Sequence, residues 1–255
     1  MTTPKVALIT AGSRGVGAAV ARALARDAHL RVAINYHSDH TAANALVAEL
    51  TTLSPLPQDS AAPSFIALQG DMARREEITR VVAETVRAFG RLDVVVSNAG
   101  WTRMTDFMDL DAADHEADWD RCFQVNVKSH FWLFHAARPY LDAVGGCFVA
   151  TASVAGVKPS GSSLPYAVTK AALIHLVRSL AVIAAPNIRV NSVAPGVLLT
   201  DWGRQFSEEK LRSVQEKNAL KRFATPEDVA DQVRFLAISP SITGQNIVID
   251  AGFSL

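Results

Sequence analysis

Val6-Ala-Leu-Ile-Thr10-Ala-Gly12-Ser13-Arg14-Gly15-Val16-Gly17-Ala18-Ala-Val-Ala-Arg-Ala-Leu-Ala-Arg26 joins a short apolar run to a glycine-rich turn and then to a stretch with helical periodicity. The first run is apolar at successive positions rather than alternating, the pattern of a strand covered on both faces. Further runs of this kind lie at 30–35, 65–69, 92–97, 147–152, 188–193 and 247–250, which makes seven strands with 6–10. Helical stretches separate them at roughly 15–27, 41–50, 74–89, 118–141, 164–184, 208–216 and 226–236, the last opened by Thr225 as N-cap and Pro226 in the first turn. Strands alternating with helices specify an α/β fold: a doubly wound, seven-stranded parallel sheet with helices on both faces.

The 255 residues and an apolar content of 49% suit one domain over 1–255 whose core fills both faces of a sheet. With 25 basic and 25 acidic residues there is no basic field to gather nucleic acid or anionic lipid, so a small-molecule partner is expected. The apolar helix near 171–185 is interrupted by His175, Arg178 and Ser179, short of the roughly 20 apolar residues that span a bilayer. No signal-peptide pattern opens the chain, and Cys122 and Cys147 form no C-x-x-C pair, so a reducing cytoplasm is expected. The seven histidines show no metal-ligand spacing. A Pro- and Ser-rich stretch at 53–64 is expected to be a surface loop.

A glycine turn between the first strand and helix of a parallel sheet lets the backbone approach a pyrophosphate at a helix N-terminus. Asp71, followed by Met72, closes the third strand, and Ser97-Asn98-Ala99-Gly100 closes the fourth, both at the carboxyl ends where such sheets bind ligands. Tyr166 and Lys170 stand four apart on one helical face, and Ser153 ends the fifth strand thirteen residues before Tyr166.

From about Val6 to the C-terminus the chain resembles the short-chain dehydrogenase/reductase family, whose glycine pattern is T-G-x-x-x-G-x-G and whose fourth strand ends in N-N-A-G. Gly15, Gly17 and Asn98-Ala99-Gly100 match; Ala11 stands at the first glycine with Gly12 next to it, and Ser97 replaces the first Asn. The resemblance implies a nicotinamide cofactor held by Gly12, Ser13, Arg14, Gly15, Val16, Gly17, Asn35, Tyr36, His37, Asp71, Met72, Asn98, Ala99, Gly100, Tyr166, Lys170, Pro195, Gly196, Val197 and Thr200. NADP(H) is expected over NAD(H), because the second strand ends in Ile34-Asn35-Tyr36-His37-Ser38 without an acid and Arg14 offers a cation. The nearest acid, Asp39, is expected to lie beyond the contact position.

The resemblance further implies a catalytic group of Asn126, Ser153, Tyr166 and Lys170 that interconverts a carbonyl and a secondary alcohol. A free phenol with a pKa of about 10 is ionised about once in a thousand at pH 7, so a nearby ammonium is needed to make it an acid/base. Substrate contacts are expected from Trp101, Arg103, Met104, Val157, Leu164, Trp202 and Phe206, the last two on a flexible flap over 198–220, and they suggest an apolar ketone or aldehyde. A reductase of 3-oxoacyl thioesters or polyketide-like intermediates shares the same core, although no basic entrance for an acyl carrier is evident. A nucleotide-binding regulator without turnover is the third reading. The family also implies a homo-oligomer, a dimer or tetramer, through its long helices and last strand.

Overall fold

A computed structural model describes residues 4–56 and 63–255. The expected loop at 53–64 therefore falls largely outside the described residues. All seven expected strands form: β1 (Val6–Ile9), β2 (Arg31–Tyr36), β3 (Phe65–Gln69), β4 (Val94–Ser97), β5 (Cys147–Thr151), β6 (Arg189–Pro195) and β7 (Asn246–Ile249). They make one parallel sheet in the order β3-β2-β1-β4-β5-β6-β7. Strand order reverses between β1 and β4, which opens a crevice at their carboxyl ends.

Because side chains alternate along a strand, each strand feeds two cores. Ala7, Ile9, Val32, Ile34, Val94 and Val96 pack under α1 (Gly15–Arg26), α2 (His40–Leu53) and the last helix (Pro226–Ile238). Leu8, Ala33, Val95, Phe148 and Ala150 face the other way, under α3 (Arg75–Phe89) and the helices around Leu133 and Leu173. Leu8, Ile9 and Phe148 are fully buried, each worth about 1.5–3 kcal/mol in area removed from water.

The helix expected at 118–141 is not one regular helix. It divides into α4 (Glu116–Phe123), a π-helical turn (Gln124–Lys128) and α5 (Ser129–Asp142), with Asn126 in the middle of the widened turn. Such insertions gather at functional sites. The following helix, α6 (Leu164–Ala184), is capped by Ser163, whose hydroxyl accepts from Tyr166 N. By length and composition α6 could cross a membrane, but here it is a core helix against β6 and α4, with half of its most apolar window buried. The chain ends with α7 (Glu208–Lys217) and α8 (Pro226–Ile238), the latter opened by a Thr225–Asp228 capping box.

Candidate active site

Two asparagines hold the turn between β1 and α1. Asn98 Nδ2 donates to the carbonyls of Thr10 and Ala11, each at 3.2 Å, and its Oδ1 accepts from Thr151 Oγ1 at 3.1 Å. Asn35 Oδ1 accepts from Ala11 N at 3.2 Å while its Nδ2 donates to Gly70 O at 2.9 Å. Asn35 is buried, so it braces the turn from within. A Cβ on Gly17 would stand 2.4 Å from Ala11 O, which is why the turn can fold flat onto the helix start. Ala11 has φ +47°, the left-handed region that costs a residue with a Cβ about 1–2 kcal/mol. Its methyl is exposed, so the departure at this position strains the backbone rather than crowding a neighbour. Arg14 is the N-cap residue of α1 and supplies no side-chain acceptor, leaving the first-turn amides available to an anion.

Asp39 pairs with Arg14 of the glycine turn. Its Oδ2 stands 3.0 Å from Arg14 Nη2, because Asp39 is the N-cap of α2 and its other oxygen accepts from Ala42 N at 2.9 Å. Tyr36 is buried and meets His40 edge-on, while His37 is exposed. Asp71 and Met72 close β3, with Asp71 Oδ1 accepting from Ala73 N at 2.8 Å. Asn35 to His37 and these two residues thus follow one sheet edge, apart from the main cavity.

At the other end of the crevice, β5 and α6 bring Ser153, Tyr166 and Lys170 to one wall of a cavity of about 530 Å³. Lys170 is buried and its Nζ donates to Thr151 O at 2.8 Å. It lies 5.5 Å from the centre of the Tyr166 ring. Close approach of the two elements depends on Gly156, whose Cβ would stand 2.5 Å from the Lys170 carbonyl carbon. Asn126 is buried with its amide fully used: Oδ1 accepts from Trp101 N at 2.8 Å, and Nδ2 donates to Trp101 O at 2.9 Å and Thr169 Oγ1 at 3.1 Å. Asn126 Oδ1 and Lys170 Nζ each lie 3.6 Å from the Cβ position of Gly100, so the four expected side chains converge around the ends of β4 and β5.

Desolvation pushes Tyr166 up to about 12, with the Ser153 hydroxyl pulling the other way. Desolvation also lowers Lys170 to about 8, so the ammonium still predominates by roughly ten to one at pH 7. Buried His130, bonded through Nδ1 to Ser97 Oγ at 2.7 Å, is lowered to about 3 by burial and then by Lys170, and stays neutral.

Pro195, Gly196, Val197 and Thr200 line the cavity, as do Arg14, Gly15, Val16, Asn98 and Gly100; Gly12, Ser13, Gly17 and Ala99 are not among its lining residues. Of the expected substrate residues, Trp202 and Phe206 line it, with the Trp202 ring 5.9 Å from that of Tyr166. Trp101 turns toward Arg121, 5.1 Å from its ring, and Arg103 pairs with Asp118. Met104, exposed Val157 and Leu164 are also outside the lining. Among the lining residues not named from the sequence, two groups stand out. One is Phe253 near the C-terminus, held by Lys158 through its carbonyl at 2.9 Å and its ring. The other is the face of α7 formed by Lys210, Leu211, Ser213, Val214 and Lys217, which puts two cations on the wall where no basic entrance was expected. The i, i+3, i+4, i+7 spacing of that face was readable; its direction was not.

A family model described as enoyl-(acyl carrier protein) reductase matches residues 10–254. The Serratia marcescens short-chain dehydrogenase/reductase superposes with a TM-score of 0.84 at 32% identity, covering 98% of both chains. The chain belongs to the short-chain dehydrogenase/reductase family. A short-chain dehydrogenase from Burkholderia cenocepacia solved in complex with NADP is 33% identical, with a TM-score of 0.87 over 98% of each chain. The 3-oxoacyl-(acyl-carrier-protein) reductase of Staphylococcus aureus is 34% identical over 256 aligned residues, covering 99% of both chains. As a family member the chain is an oxidoreductase. Its departure at Ser97 has a local answer, because the short hydroxyl leaves room for His130 and bonds it.

Proposed function

We propose that the chain is an NADP(H)-dependent reductase of carbonyl compounds, able to run in reverse as an alcohol dehydrogenase. The convergence of Ser153, Tyr166 and Lys170 on one cavity wall, with the glycine turn on the same cavity, carries this reading. The turn fits a dinucleotide: the α1 amides lack a side-chain cap, and Gly17 lets the chain close to 2.4 Å of where a Cβ would sit. Gly15, Val16, Asn98, Gly100 and the Pro195–Thr200 segment would hold it, and Arg14 is the cation for a 2′-phosphate. When bound, the cofactor supplies the hydride that passes to the carbonyl carbon.

Ser153 and Tyr166 hydroxyls hold the carbonyl oxygen, and Tyr166 donates its proton to that oxygen as the alcohol forms. A phenol raised to about 12 is fully protonated at neutral pH, the form reduction needs. The Lys170 ammonium, fixed by Thr151, stabilises the phenolate left behind. Asn126 holds the Trp101 backbone and, through Thr169, the helix that carries Tyr166.

The cavity walls Val154, Trp202, Phe206, Leu211 and Phe253 suit an apolar body beside the carbonyl. Lys210 and Lys217 favour a second form of the reading, a 3-oxoacyl thioester whose tail carries anionic groups. NADPH oxidation is measured against a panel of cyclic ketones, aromatic ketones, 3-oxoacyl thioesters and an enoyl thioester, with NADH in parallel. Turnover of a ketone or oxoacyl thioester that falls about 10²–10⁴-fold in Tyr166→Phe supports the proposal. Turnover of the enoyl thioester alone, or full activity in the variant, overturns it.

A further inference from the structure

The end of β4 is tied to the helix behind it at two places. His130 Nδ1 is bonded to Ser97 Oγ at 2.7 Å, and Asn126 Oδ1 accepts from Trp101 N at 2.8 Å while its Nδ2 donates to Trp101 O at 2.9 Å. The ties are four residues apart on both segments and run in opposite order, so they enclose Asn98, Ala99 and Gly100. This short stretch reaches across to the glycine turn. Asn98 N and Ala99 N donate to Thr10 Oγ1 at 2.8 and 3.2 Å, and Asn98 Nδ2 donates to the Thr10 and Ala11 carbonyls. Ser97, Asn126 and His130 are all buried, and neither Ser97 nor His130 lines the cavity.

A buried imidazole is a costly way to fill space. Burial pushes the His130 pKa down to about 3, so the ring is neutral, and its Nε2 makes no hydrogen bond within the described residues. A leucine would fill the site with no polar nitrogen to desolvate. Stability therefore does not account for the histidine, and its bond to Ser97 does. We propose that His130 is a positioning residue: by holding Ser97 it fixes, with Asn126, the Asn98–Gly100 segment, and so keeps the glycine turn in the shape that accepts a dinucleotide. This rests on the reading above that a nicotinamide dinucleotide occupies that turn. The route runs from His130 to Ser97, along one residue of backbone to Asn98, and from its amide to the two carbonyls of the turn. Loosening Ser97 lets Asn98 and the turn drift, while Ser153, Tyr166 and Lys170 stay in place on the end of β5 and on α6. The effect falls on dinucleotide affinity, alike for NADP and NAD, and not on the chemical step.

Calorimetric titration of the purified protein with NADP⁺ and with NAD⁺, beside urea denaturation and steady-state NADPH oxidation on the best panel substrate, tests this. Ser97→Ala leaves the imidazole buried without its partner; it should lower the urea midpoint and weaken both dinucleotides about tenfold, with kcat within about threefold of wild type. Combining Ser97→Ala with His130→Leu removes both polar groups, so the urea midpoint should return to the wild-type value or exceed it while binding stays about tenfold weaker. His130→Asn puts an amide close to where Nδ1 stood and should hold binding within about threefold of wild type. A pair that only fills space would instead show affinity following stability. A double variant that binds NADP⁺ within about twofold of wild type overturns the proposal, as does His130→Asn binding as weakly as Ser97→Ala. A loss of kcat with unchanged dissociation constants overturns the assignment to the turn. A wild-type chain that binds neither nucleotide overturns the cofactor reading and this proposal with it.

Discussion

Gly156→Ala tests whether the catalytic wall is set by backbone contact between the loop after β5 and α6. An added Cβ would meet the Lys170 carbonyl carbon at 2.5 Å, Ala171 N at 2.7 Å and Lys170 O at 2.7 Å, all backbone atoms that no rotamer change can move. Reaching an ordinary 3.4 Å requires the loop and helix to separate by about 0.9 Å. Overpacking of this kind destabilises by about 1–3 kcal/mol. The larger effect falls on chemistry, because Ser153 lies at the start of the loop that shifts while Tyr166 and Lys170 sit on the helix. A misplacement near 1 Å lowers turnover about 10²-fold. Urea denaturation gives the stability change, and steady-state NADPH oxidation on the best panel substrate gives kcat. A variant with kcat within about threefold of wild type refutes the claim that this contact sets the Ser153–Tyr166 geometry.

Lys170→Met should abolish most activity yet leave the fold as stable or more so. The folded pKa of about 8 lies below the ordinary 10.5, so below pH 8 the buried ammonium carries a penalty of roughly 3 kcal/mol, partly offset by its bond to Thr151. Wild-type stability should therefore rise relative to the Met variant from pH 8 toward pH 10; parallel urea midpoints at pH 7 and pH 9.5 would contradict this. Ala11→Gly removes a Cβ from a residue at φ +47° and should stabilise the chain by about 0.5–1 kcal/mol after the added freedom of the unfolded state is counted. An unchanged or lowered urea midpoint would show that Ala11 carries no strain.

The alternation of successive apolar runs with helical periodicity was enough to specify the parallel sheet, its seven strands and the glycine turn, because these depend on neighbours a few residues apart. The Tyr166–Lys170 face was legible for the same reason, one helical turn being local geometry. The π turn was not, and Asn126 in its middle bonds to Trp101 and Thr169, far away in the chain. Asp39 shows the same limit: the family resemblance spoke only of its position relative to a cofactor, and it is the fold, with Asp39 capping α2, that sets its carboxylate on Arg14.

What the sequence determined by itself was therefore the order of elements and the residue types available at the carboxyl ends of the strands. Only the tertiary structure decided which of them meet. Folding α7 and the Phe253 segment over the sheet turned Lys210, Lys217 and Phe253 into cavity walls, and packing around Tyr166 and Lys170 moved both groups by desolvation. Burial and long-range charge pairing depend on which surfaces the completed fold presses together, and no local period in the chain encodes that.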